Sequence, residues 1–272
     1  MPTTKVIIAG AGGRMGCRLI SLVQGSSSLA LAGAVESKAH SAIGHDAGEI
    51  AGCGRIGVAI TDDLSALLAE GEVIIDFSTP SATLQHFRTA ADLRRAMVIG
   101  TTGFSSSEYE ELRTLSRRAP CVCSPNMSVG VNVIYKVLGE MARTLGEDYD
   151  IEVIEAHHRL KKDAPSGTAI KMADILASAV NRDLNQVAVY ARKGLIGERS
   201  QKEIGIQTIR AGDIVGDHTV LFGTAGERIE ITHRAHSRDT FASGALRAAR
   251  WVVKQPPGLY DMLDVLGLRQ TG

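Results

Sequence analysis

The chain opens with a short apolar segment that runs directly into a cluster of glycines. Residues 5–9 read KVIIA, residues 10–13 read GAGG, and apolar side chains then recur at helical spacing from Met15 to Val23. A continuous apolar run is typical of a parallel strand that is covered on both faces. The strand, the glycine turn and the helix predict the first unit of a parallel α/β sheet, and this feature restricts the fold more than any other.

The same alternation continues through the first half of the chain. Further apolar strand candidates lie at residues 29–36, 73–77, 97–99 and 121–123, and helical segments lie at residues 62–69, 82–93 and 106–117. Strands that alternate with helices favour a parallel sheet with helices on both faces. We therefore predict a Rossmann-like, doubly wound dinucleotide-binding domain over residues 1–128.

A different pattern begins near residue 128. Helical segments lie at residues 131–145, 167–180 and 240–253, and strand candidates lie at residues 150–156, 187–191, 204–210, 218–222 and 228–234. Residues 150–156 (DIEVIEA) alternate as in a strand with one covered face. Strands that follow one another without helices predict a mixed or antiparallel sheet. We therefore expect a second, α+β domain from residue 129 onward.

The composition restricts partners and compartment. Lys plus Arg and Asp plus Glu both total 30, so neither a nucleic acid nor an anionic membrane is an expected partner. The four cysteines form no C-x-x-C pair and lie at no zinc-ligand spacing from a histidine. We expect small buried thiols, with neither a disulfide framework nor a metal site. The absence of a signal-like segment and of a long apolar run favours a soluble, cytoplasmic protein.

The glycine loop is a candidate phosphate-binding site. Backbone N–H groups and the positive end of a helix converge on such a turn, and glycines let a pyrophosphate approach closely. Gly10 and Gly12 match the G-x-G-x-x-G pattern, but Met15 stands at its last position and Gly16 follows one place later. Such turns also occur merely to pack a helix against a sheet. Glu36, at the spacing of an acid that binds the adenosine ribose, favours dinucleotide binding.

The surroundings of Glu36 leave the choice of cofactor open. A carboxylate favours NADH, because it accepts hydrogen bonds from two ribose hydroxyls and repels a 2′-phosphate. Arg14 and Lys38 lie close enough in the sequence to offset that repulsion. NADH and NADPH are therefore both candidates.

Two further loops follow strand candidates of the first domain. In open α/β sheets, ligands bind beyond the carboxyl ends of the strands. Gly100, Thr101 and Thr102 follow the fourth candidate and would face the nicotinamide end of the cofactor. The alternative is an ordinary turn in which Thr102 caps the next helix. Residues 124–130 (SPNMSVG) follow the fifth candidate and lie at the predicted domain boundary.

Residues 157–169 (HHRLKKDAPSGTA) join two histidines and three cations to the start of a helix. Ser166 is suited to the N-cap position. Gly167 and Thr168 would then lie in the first turn, whose N–H groups have no partner within a helix and can bind a carboxylate or phosphate. Gly167 also has no side chain to block the approach of a ligand.

His157 and Lys161 are candidates for proton transfer. A hydride added to a carbon–nitrogen double bond leaves charge on nitrogen, and a positioned acid that neutralises it contributes roughly 10²–10⁴ in rate. A lysine among other cations is suited to act as that acid. The alternative is a solvated loop with surface histidines. The density of polar neighbours favours a site at His157 and His158.

These motifs resemble the 4-hydroxy-tetrahydrodipicolinate reductase family, also called dihydrodipicolinate reductases. The similarity rests on EAHHRLKKDAPSGTA at residues 155–169, with GAGGRMG, GTTGF, NMSVGVN, RAGDIVGDH and FASGALRAARWV, and extends over nearly the whole chain. The resemblance implies NADH- or NADPH-dependent reduction of a cyclic imine dicarboxylate in the diaminopimelate route to lysine. It also implies catalytic and substrate-binding roles: His157 as donor/acceptor, Lys161 as proton donor, His158 as a substrate contact, and Gly167 and Thr168 as carboxylate ligands.

The resemblance further implies a set of cofactor-binding residues and an assembly. The residues that would line the cofactor are Gly10, Ala11, Gly12, Gly13, Arg14, Met15, Glu36, Gly100, Thr101, Thr102, Ser124, Pro125, Asn126 and Met127. Residues 239–272 would return to the dinucleotide-binding domain. Residues 129–238 would bind the substrate and build a homotetramer. Met15 is the ordinary residue at its position in this family.

One position departs from the family pattern. Members that use NADPH often have Arg directly after the acidic ribose residue, whereas this chain has Ser37 and then Lys38. The departure favours NADH, or the use of both cofactors. Two alternative functions are another imine- or keto-acid dehydrogenase and a non-catalytic nucleotide sensor. The former would need fewer donors for a monocarboxylate, and the latter would be expected to lose His157 and Lys161.

Overall fold

The computed structural model describes residues 3–269, which divide into two compact units. The first unit is formed by residues up to Val129 and from Arg238 onward, and the second by Gly130–Ser237. The ends of the predicted first domain, residues 1–2 and 270–272, lie outside the described residues.

The first unit contains a seven-stranded parallel sheet with the order β12-β6-β5-β4-β1-β2-β3. Its strands are β1 (Thr4–Ala9), β2 (Leu29–Val35), β3 (Ile60–Thr61), β4 (Val73–Asp76), β5 (Ala96–Ile99), β6 (Pro120–Cys123) and β12 (Gly258–Tyr260). Its helices are α1 (Arg14–Gln24), α2 (Ala47–Ala51), α3 (Leu64–Leu67), α4 (Pro80–Asp92), α5 (Ser106–Ser116), α9 (Asp239–Val252) and α10 (Met262–Leu266). The predicted doubly wound parallel sheet is confirmed.

Hydrophobic cores cover both faces of this sheet. Along β1, Val6 and Ile8 join one core with apolar residues of α1 and α9, whereas Ile7 and Ala9 join the other with residues of α4 and α5. All four side chains are fully buried. Successive side chains of a strand point to opposite faces of the sheet. Because both faces are covered here, every residue of the run must be apolar.

The second unit contains a five-stranded mixed sheet with the order β11-β10-β7-β9-β8. Its strands are β7 (Asp150–His157), β8 (Ala188–Val189), β9 (Ile204–Arg210), β10 (Gly216–Thr224) and β11 (Glu227–Ala235), and its helices are α6 (Val129–Leu145), α7 (Gly167–Ala179) and α8 (Leu184–Val187). Strand β10 is antiparallel to β7 and β11, whereas β9 is parallel to β7 and β8. Helices α6 and α7 share one core with the strands. The predicted α+β architecture is confirmed.

Several short elements differ from the prediction. The strand predicted at residues 187–191 is mostly wrong: α8 ends at Val187, and only Ala188–Val189 pair with β9. The helix predicted at residues 62–69 is limited to Leu64–Leu67, and its start is set by Asp63, which caps the first turn. The sequence did not indicate α2, β3, β12 or α10. These elements have two to five residues each, too few to show a hydrophobic period.

All four cysteines have free thiols, although they are not uniformly buried. Cys121 and Cys123 belong to β6, and their side chains are buried in the core on one face of the sheet. Cys53 is exposed, so the expectation of four buried thiols is wrong. Among residues 3–269, no helix combines the length and apolar character needed to cross a membrane.

Candidate active site

The glycine loop of the first unit connects β1 to α1. Gly10 has a φ of +74°, in the left-handed region that residues with a Cβ rarely adopt. A Cβ on Gly16 would lie 2.1 Å from the carbonyl oxygen of Gly10. Gly16 therefore allows the close contact between helix and loop that the third glycine of the G-x-G-x-x-G pattern provides. Gly13 is the N-cap of α1 and offers no side chain to its first-turn N–H groups, which suits them to an anion.

Glu36 directly follows β2, and its carboxylate faces the glycine loop. One oxygen accepts the N–H of Gly12 at 3.0 Å, and the other accepts the N–H of Ser37 at 2.8 Å. A carboxylate has about four lone-pair sites. The two hydrogen bonds therefore hold the side chain in place and leave it capacity to accept hydrogen bonds from a ribose.

A cavity of about 650 Å³ lies beside this loop. Its volume falls within the range of about 300–1,000 Å³ that is usual for small-molecule and cofactor sites. Of the predicted cofactor residues, Gly10, Gly13 and Glu36 line it, together with Ser37 and Lys38. The sequence did not indicate the remaining lining residues, which are Val35, His40, Asp62, Phe77, Ser78, Thr79, Ala82, Gln85 and His86.

A buried aspartate holds Ser78 and His86, two residues that line the cavity. Asp76, the last residue of β4, is fully buried. It accepts hydrogen bonds from the N–H and hydroxyl of Ser78 at 2.8 and 2.6 Å, and it lies 2.7 Å from Nδ1 of His86. The sequence feature that could have indicated this site is Asp76 itself, a charged residue at the end of an apolar strand.

The loop after β5 contains the predicted residues Gly100, Thr101 and Thr102. A Cβ on Gly100 would lie 2.2 Å from the ring of Phe77, so the position requires glycine. Thr101 is buried, with its hydroxyl 2.9 Å from that of Thr83, whereas Thr102 is exposed. Ser105, not Thr102, caps helix α5, which removes the alternative interpretation of Thr102 as the helix cap.

The loop after β6 contains the predicted residues Ser124, Pro125, Asn126 and Met127. The hydroxyl of Ser124 donates to the carbonyl oxygen of Asn126 at 3.1 Å, and the side-chain oxygen of Asn126 accepts the N–H of Ser128 at 2.9 Å. Met127 is buried in the core. The loops after β1, β5 and β6 thus all lie at the carboxyl edge of the parallel sheet, as ligand-binding loops do in this architecture.

In the second unit, β7 ends at His157. Alternate residues of this strand are buried, and Glu155 and His157 are two residues apart on the covered face. Nδ1 of His157 lies 2.6 Å from the Glu155 carboxylate. The His157 ring also makes an edge contact with His218, with 5.2 Å between the ring centroids. Glu155 of β7 and His218 of β10 therefore contact this imidazole on two sides.

Burial lowers the pKa of both histidines. The pKa of His157 lies below its ordinary value because burial outweighs the opposing effect of the hydrogen-bonded Glu155 carboxylate. Burial, assisted by the nearby His157, lowers the pKa of His218 to about 3. His218 is therefore uncharged at neutral pH, and it acts as a hydrogen-bonding neighbour of Ser166, whose hydroxyl lies 3.0 Å from its Nε2.

Lys161 lies in the loop that follows β7, and its charge acts on His157. Its Nζ donates to both carboxylate oxygens of Asp163, at 2.9 and 2.8 Å. His158 lies between His157 and Lys161 in the sequence. Its Nδ1 is buried, and no residue in the described part of the chain provides a hydrogen-bond partner for it. An orphaned polar atom of this kind is suited to a polar group of a ligand.

Ser166 is the N-cap of α7, as the sequence predicts. Its hydroxyl accepts the N–H of Ala169 at 3.2 Å, and its own N–H donates to Glu155 at 2.9 Å. A Cβ on Gly167 would meet no atom within 4 Å, so the space in front of the helix is open there. Thr168 follows in the first turn. The capped helix start therefore presents an accessible anion site.

The sequence did not indicate Glu155, Arg210 and His218, which the structure joins to His157 and Ser166. One signal was present. In the alternating segment DIEVIEA, Glu155 falls on the same phase as Ile151 and Val153, which is the covered face. A carboxylate on the buried phase of a strand needs partners, and those partners come from β7, β9 and the start of α7.

Comparison with known proteins identifies the family. The family model described as dihydrodipicolinate reductase, N-terminus, matches residues 4–127, and the one described as dihydrodipicolinate reductase, C-terminus, matches residues 130–266. The 4-hydroxy-tetrahydrodipicolinate reductase of Syntrophus aciditrophicus is 58% identical over 265 residues, which cover 97% of this chain and 99% of the relative. The enzyme of that name from Geobacter sulfurreducens is 52% identical over 266 residues, which cover 98% and 100% of the two chains.

Solved structures share the fold. A dipicolinate-bound dihydrodipicolinate reductase from Paenisporosarcina sp. TG-14 superimposes with a TM-score of 0.73 at 23% identity, over 96% of this chain and 98% of the other. An amine dehydrogenase from Mycobacterium smegmatis has a TM-score of 0.57 at 13% identity, over 95% and 94% of the two chains. The similarity over the full length in sequence leads to one conclusion: the chain belongs to the dihydrodipicolinate reductase family.

Proposed function

We propose that this protein reduces 4-hydroxy-tetrahydrodipicolinate, a cyclic imine dicarboxylate, to tetrahydrodipicolinate with NADH or NADPH, with release of the 4-hydroxyl group as water, in the diaminopimelate route to lysine. The observation that carries the proposal is the group formed by His157, Lys161 and the capped start of α7, which combines proton donors with an anion site. Relatives that are 58% and 52% identical to this chain are named 4-hydroxy-tetrahydrodipicolinate reductases, which agrees with it.

The start of α7 is the proposed carboxylate site. The N–H groups of Gly167 and Thr168 would donate to one substrate carboxylate, and the open space at Gly167 admits it. His158 would donate to another oxygen of the substrate through its orphaned ring nitrogen. Hydrogen bonds to a charged group contribute about 1.5–3 kcal/mol each, which is enough to orient a small dicarboxylate.

The cofactor residues lie in the first unit, at the carboxyl edge of the parallel sheet. The first turn of α1, which has no side-chain cap, and Gly10, whose φ is in the left-handed region, are suited to bind a pyrophosphate. The carboxylate of Glu36 is suited to bind a ribose. When bound, the nicotinamide would supply a hydride to the carbon–carbon double bond that loss of the substrate hydroxyl leaves in conjugation with the imine. The predicted set around it is Gly10, Ala11, Gly12, Gly13, Arg14, Met15, Glu36, Gly100, Thr101, Thr102, Ser124, Pro125, Asn126 and Met127.

His157 and Lys161 would complete the reaction. Loss of the 4-hydroxyl group as water leaves a carbon–carbon double bond conjugated with the imine. Once this double bond has accepted the hydride, its electron pair moves through the conjugated system to nitrogen, which takes one proton, and the resulting enamine regains the carbon–nitrogen double bond by tautomerisation. Lys161 would donate that proton, and Asp163 keeps its Nζ in place until the substrate binds. His157, with its Nδ1 held by Glu155, would exchange a proton with the substrate through Nε2.

Replacement of Lys161 tests this assignment against a neighbouring lysine. We expect Lys161→Ala to lower kcat by roughly 10²–10⁴-fold, because general acid help is lost, while the dissociation constant for NADH stays within about twofold. Lys162 is exposed, and Lys162→Ala is the matched control with nearly unchanged kcat. Steady-state kinetics and NADH fluorescence titration measure both quantities. An equal loss of turnover and cofactor affinity in Lys161→Ala would make Lys161 a structural residue.

The assembly and location are part of the same proposal. We infer a cytoplasmic homotetramer in which residues 129–238 provide both the substrate site and the contacts between subunits. Sedimentation equilibrium of the purified chain measures the assembly. A mass of about four chains is expected, and a monomer at micromolar concentration would contradict it.

A further inference from the structure

The strongest unassigned group in the second unit is a buried carboxylate beneath His157. Glu155 has no exposed surface, yet it accepts hydrogen bonds from four residues. His157 Nδ1 lies at 2.6 Å, Ser166 N at 2.9 Å, Thr208 Oγ1 at 3.3 Å, and the two Nη atoms of Arg210 at 2.8 and 2.9 Å. A buried charge is costly unless it is paired and hydrogen-bonded. Here both conditions are met.

The partners keep Glu155 ionised. Burial raises the pKa of this carboxyl, but the hydrogen bonds from Arg210, His157 and Ser166 outweigh burial, and its pKa lies below the ordinary value. A carboxylate can only accept hydrogen bonds. The proton of a neutral His157 must therefore lie on Nδ1, which leaves Nε2 as the atom that can take up or release a proton.

The surroundings keep Nε2 of His157 accessible. No residue within the described part of the chain hydrogen-bonds to this atom, whereas Nδ1 is bound to Glu155. A Cβ on Gly216 would lie 3.0 Å from Nε2, so a larger residue at the start of β10 would crowd it. The histidine is thus held at one nitrogen and open at the other.

Arg210 extends the network to the loop that holds Lys161. Its Nη2 donates to the carbonyl oxygen of Asp163 at 2.6 Å, in addition to its two bonds to Glu155. The carboxylate of Asp163 in turn binds Nζ of Lys161 at 2.8 and 2.9 Å. One guanidinium group therefore links the carboxylate under His157 to the residue that holds Lys161.

We propose that the Glu155–Arg210 pair is a positioning device that fixes the Nδ1–H tautomer of His157 through Glu155 and the location of Lys161 through Arg210. The proposal rests on the proposed function for its kinetic consequences, but the tautomer can be measured without turnover. Neither residue touches the reacting atoms in this account. Each acts through its neighbour.

Nitrogen-15 NMR of protein with labelled histidines tests directly whether Glu155 fixes the tautomer of His157. The His157 resonances are assigned by their loss in His157→Gln. We expect a protonated Nδ1 and an unprotonated Nε2 in the wild-type protein at neutral pH. Glu155→Gln should lose this preference and titrate His157 at lower pH, because the carboxylate that favours the imidazolium is gone. A wild-type His157 protonated at Nε2 overturns the proposal, whether or not the protein turns over the proposed substrate.

Kinetics supply the second readout. We expect Glu155→Gln to lower kcat by roughly 10²-fold or more, to shift the pH profile of kcat, and to leave the KM for NADH unchanged. Glu155→Asp keeps the charge, so it should retain the tautomer and recover part of the activity. Unchanged kcat and pH profile in Glu155→Gln would overturn the proposal. If wild-type protein shows the Nδ1–H tautomer but no turnover, the proposed function fails and the positioning by Glu155 stands.

Two variants separate positioning from stability. Glu152 lies on the same strand and pairs with Arg192 and Arg199, away from His157. Glu152→Gln therefore removes a comparable ion pair and should keep the His157 tautomer and kcat. Arg210→Lys keeps a positive charge but cannot bind Glu155 and Asp163 together. Arg210→Lys should therefore lower kcat while the His157 tautomer is retained. A wild-type kcat in this variant would show that Arg210 does not position Lys161.

Discussion

At the scale of single residues, His218 shows how burial couples protonation to stability. Its pKa in the folded protein is about 3, and that of an unfolded histidine is about 6.5. Below pH 6.5 the unfolded chain binds a proton that the folded protein does not. The contribution of His218 to the free energy of unfolding is therefore fully present above this pH and is lost progressively toward pH 3. His218 contributes a loss of about 2 kcal/mol between pH 7 and pH 5.

Replacement of His218 should remove this part of the pH dependence. We expect wild-type protein to lose about 2 kcal/mol more unfolding free energy between pH 7 and pH 5 than His218→Gln, because glutamine does not titrate. Urea denaturation at the two pH values measures the difference. The same slope in both proteins would mean that His218 takes up its proton without unfolding.

We expect the choice of cofactor to depend on Ser37. It lies beside Glu36 in the cavity, with Lys38 as the next lining residue. We expect Ser37→Arg to raise the ratio of kcat/KM for NADPH over NADH by roughly 10–100-fold, because a charge-assisted hydrogen bond to a 2′-phosphate contributes about 1.5–3 kcal/mol. Ser41 is exposed and does not line the cavity, so Ser41→Arg is the control. Equal changes in both variants would indicate only a general effect of charge.

Buried polar residues were the part of the site that the sequence predicted least. His157, Lys161 and Ser166 stand in one short motif, so their association is visible in the sequence. Arg210 is 55 positions away from Glu155 and reaches it because β7 and β9 pair in parallel. Partners that are joined by sheet pairing have no fixed spacing along the chain.

At the scale of elements, hydrophobic patterning predicted the long segments and failed for the short ones. The apolar runs of β1 and β4 and the alternation of β7 correspond directly to their burial. In contrast, β12 has three half-buried residues, and it joins the sheet by pairing with β6. Its place depends on a neighbouring strand rather than on its own residues, so no local pattern could indicate it.

Helix α1 provides a prediction about the glycine loop, since it has a glycine near each end. We expect Gly16→Ala to destabilise the protein by about 1–3 kcal/mol and to weaken NADH binding, because its Cβ would lie 2.1 Å from the Gly10 oxygen and force the loop to move. Gly25 has a φ of −81° and 3.7 Å of clearance, so Gly25→Ala should be neutral. Thermal denaturation and NADH titration measure both effects. Full NADH affinity in Gly16→Ala would show that the loop does not need this contact.

At the scale of the whole molecule, the chemistry is divided between the two compact units. The residues proposed to hold the cofactor lie in the first unit, and those proposed to bind the dicarboxylate and move protons lie in the second. Each unit has its own sheet and its own core. The chain carries no net charge, so its affinity for anions depends on local groups such as the start of α7.

The most direct test of the account is a turnover assay with both reduced cofactors. The substrate is generated in place from pyruvate and aspartate semialdehyde by the preceding synthase, and oxidation of NADH and of NADPH is followed separately. We predict rapid oxidation that depends on the synthase, with NADH at least as effective as NADPH, because the Glu36 carboxylate would repel a 2′-phosphate and Ser37 offers no positive charge to bind it. No oxidation of either cofactor by protein that still binds NADH would contradict the proposed function, and would favour a nucleotide sensor or a dehydrogenase for another substrate.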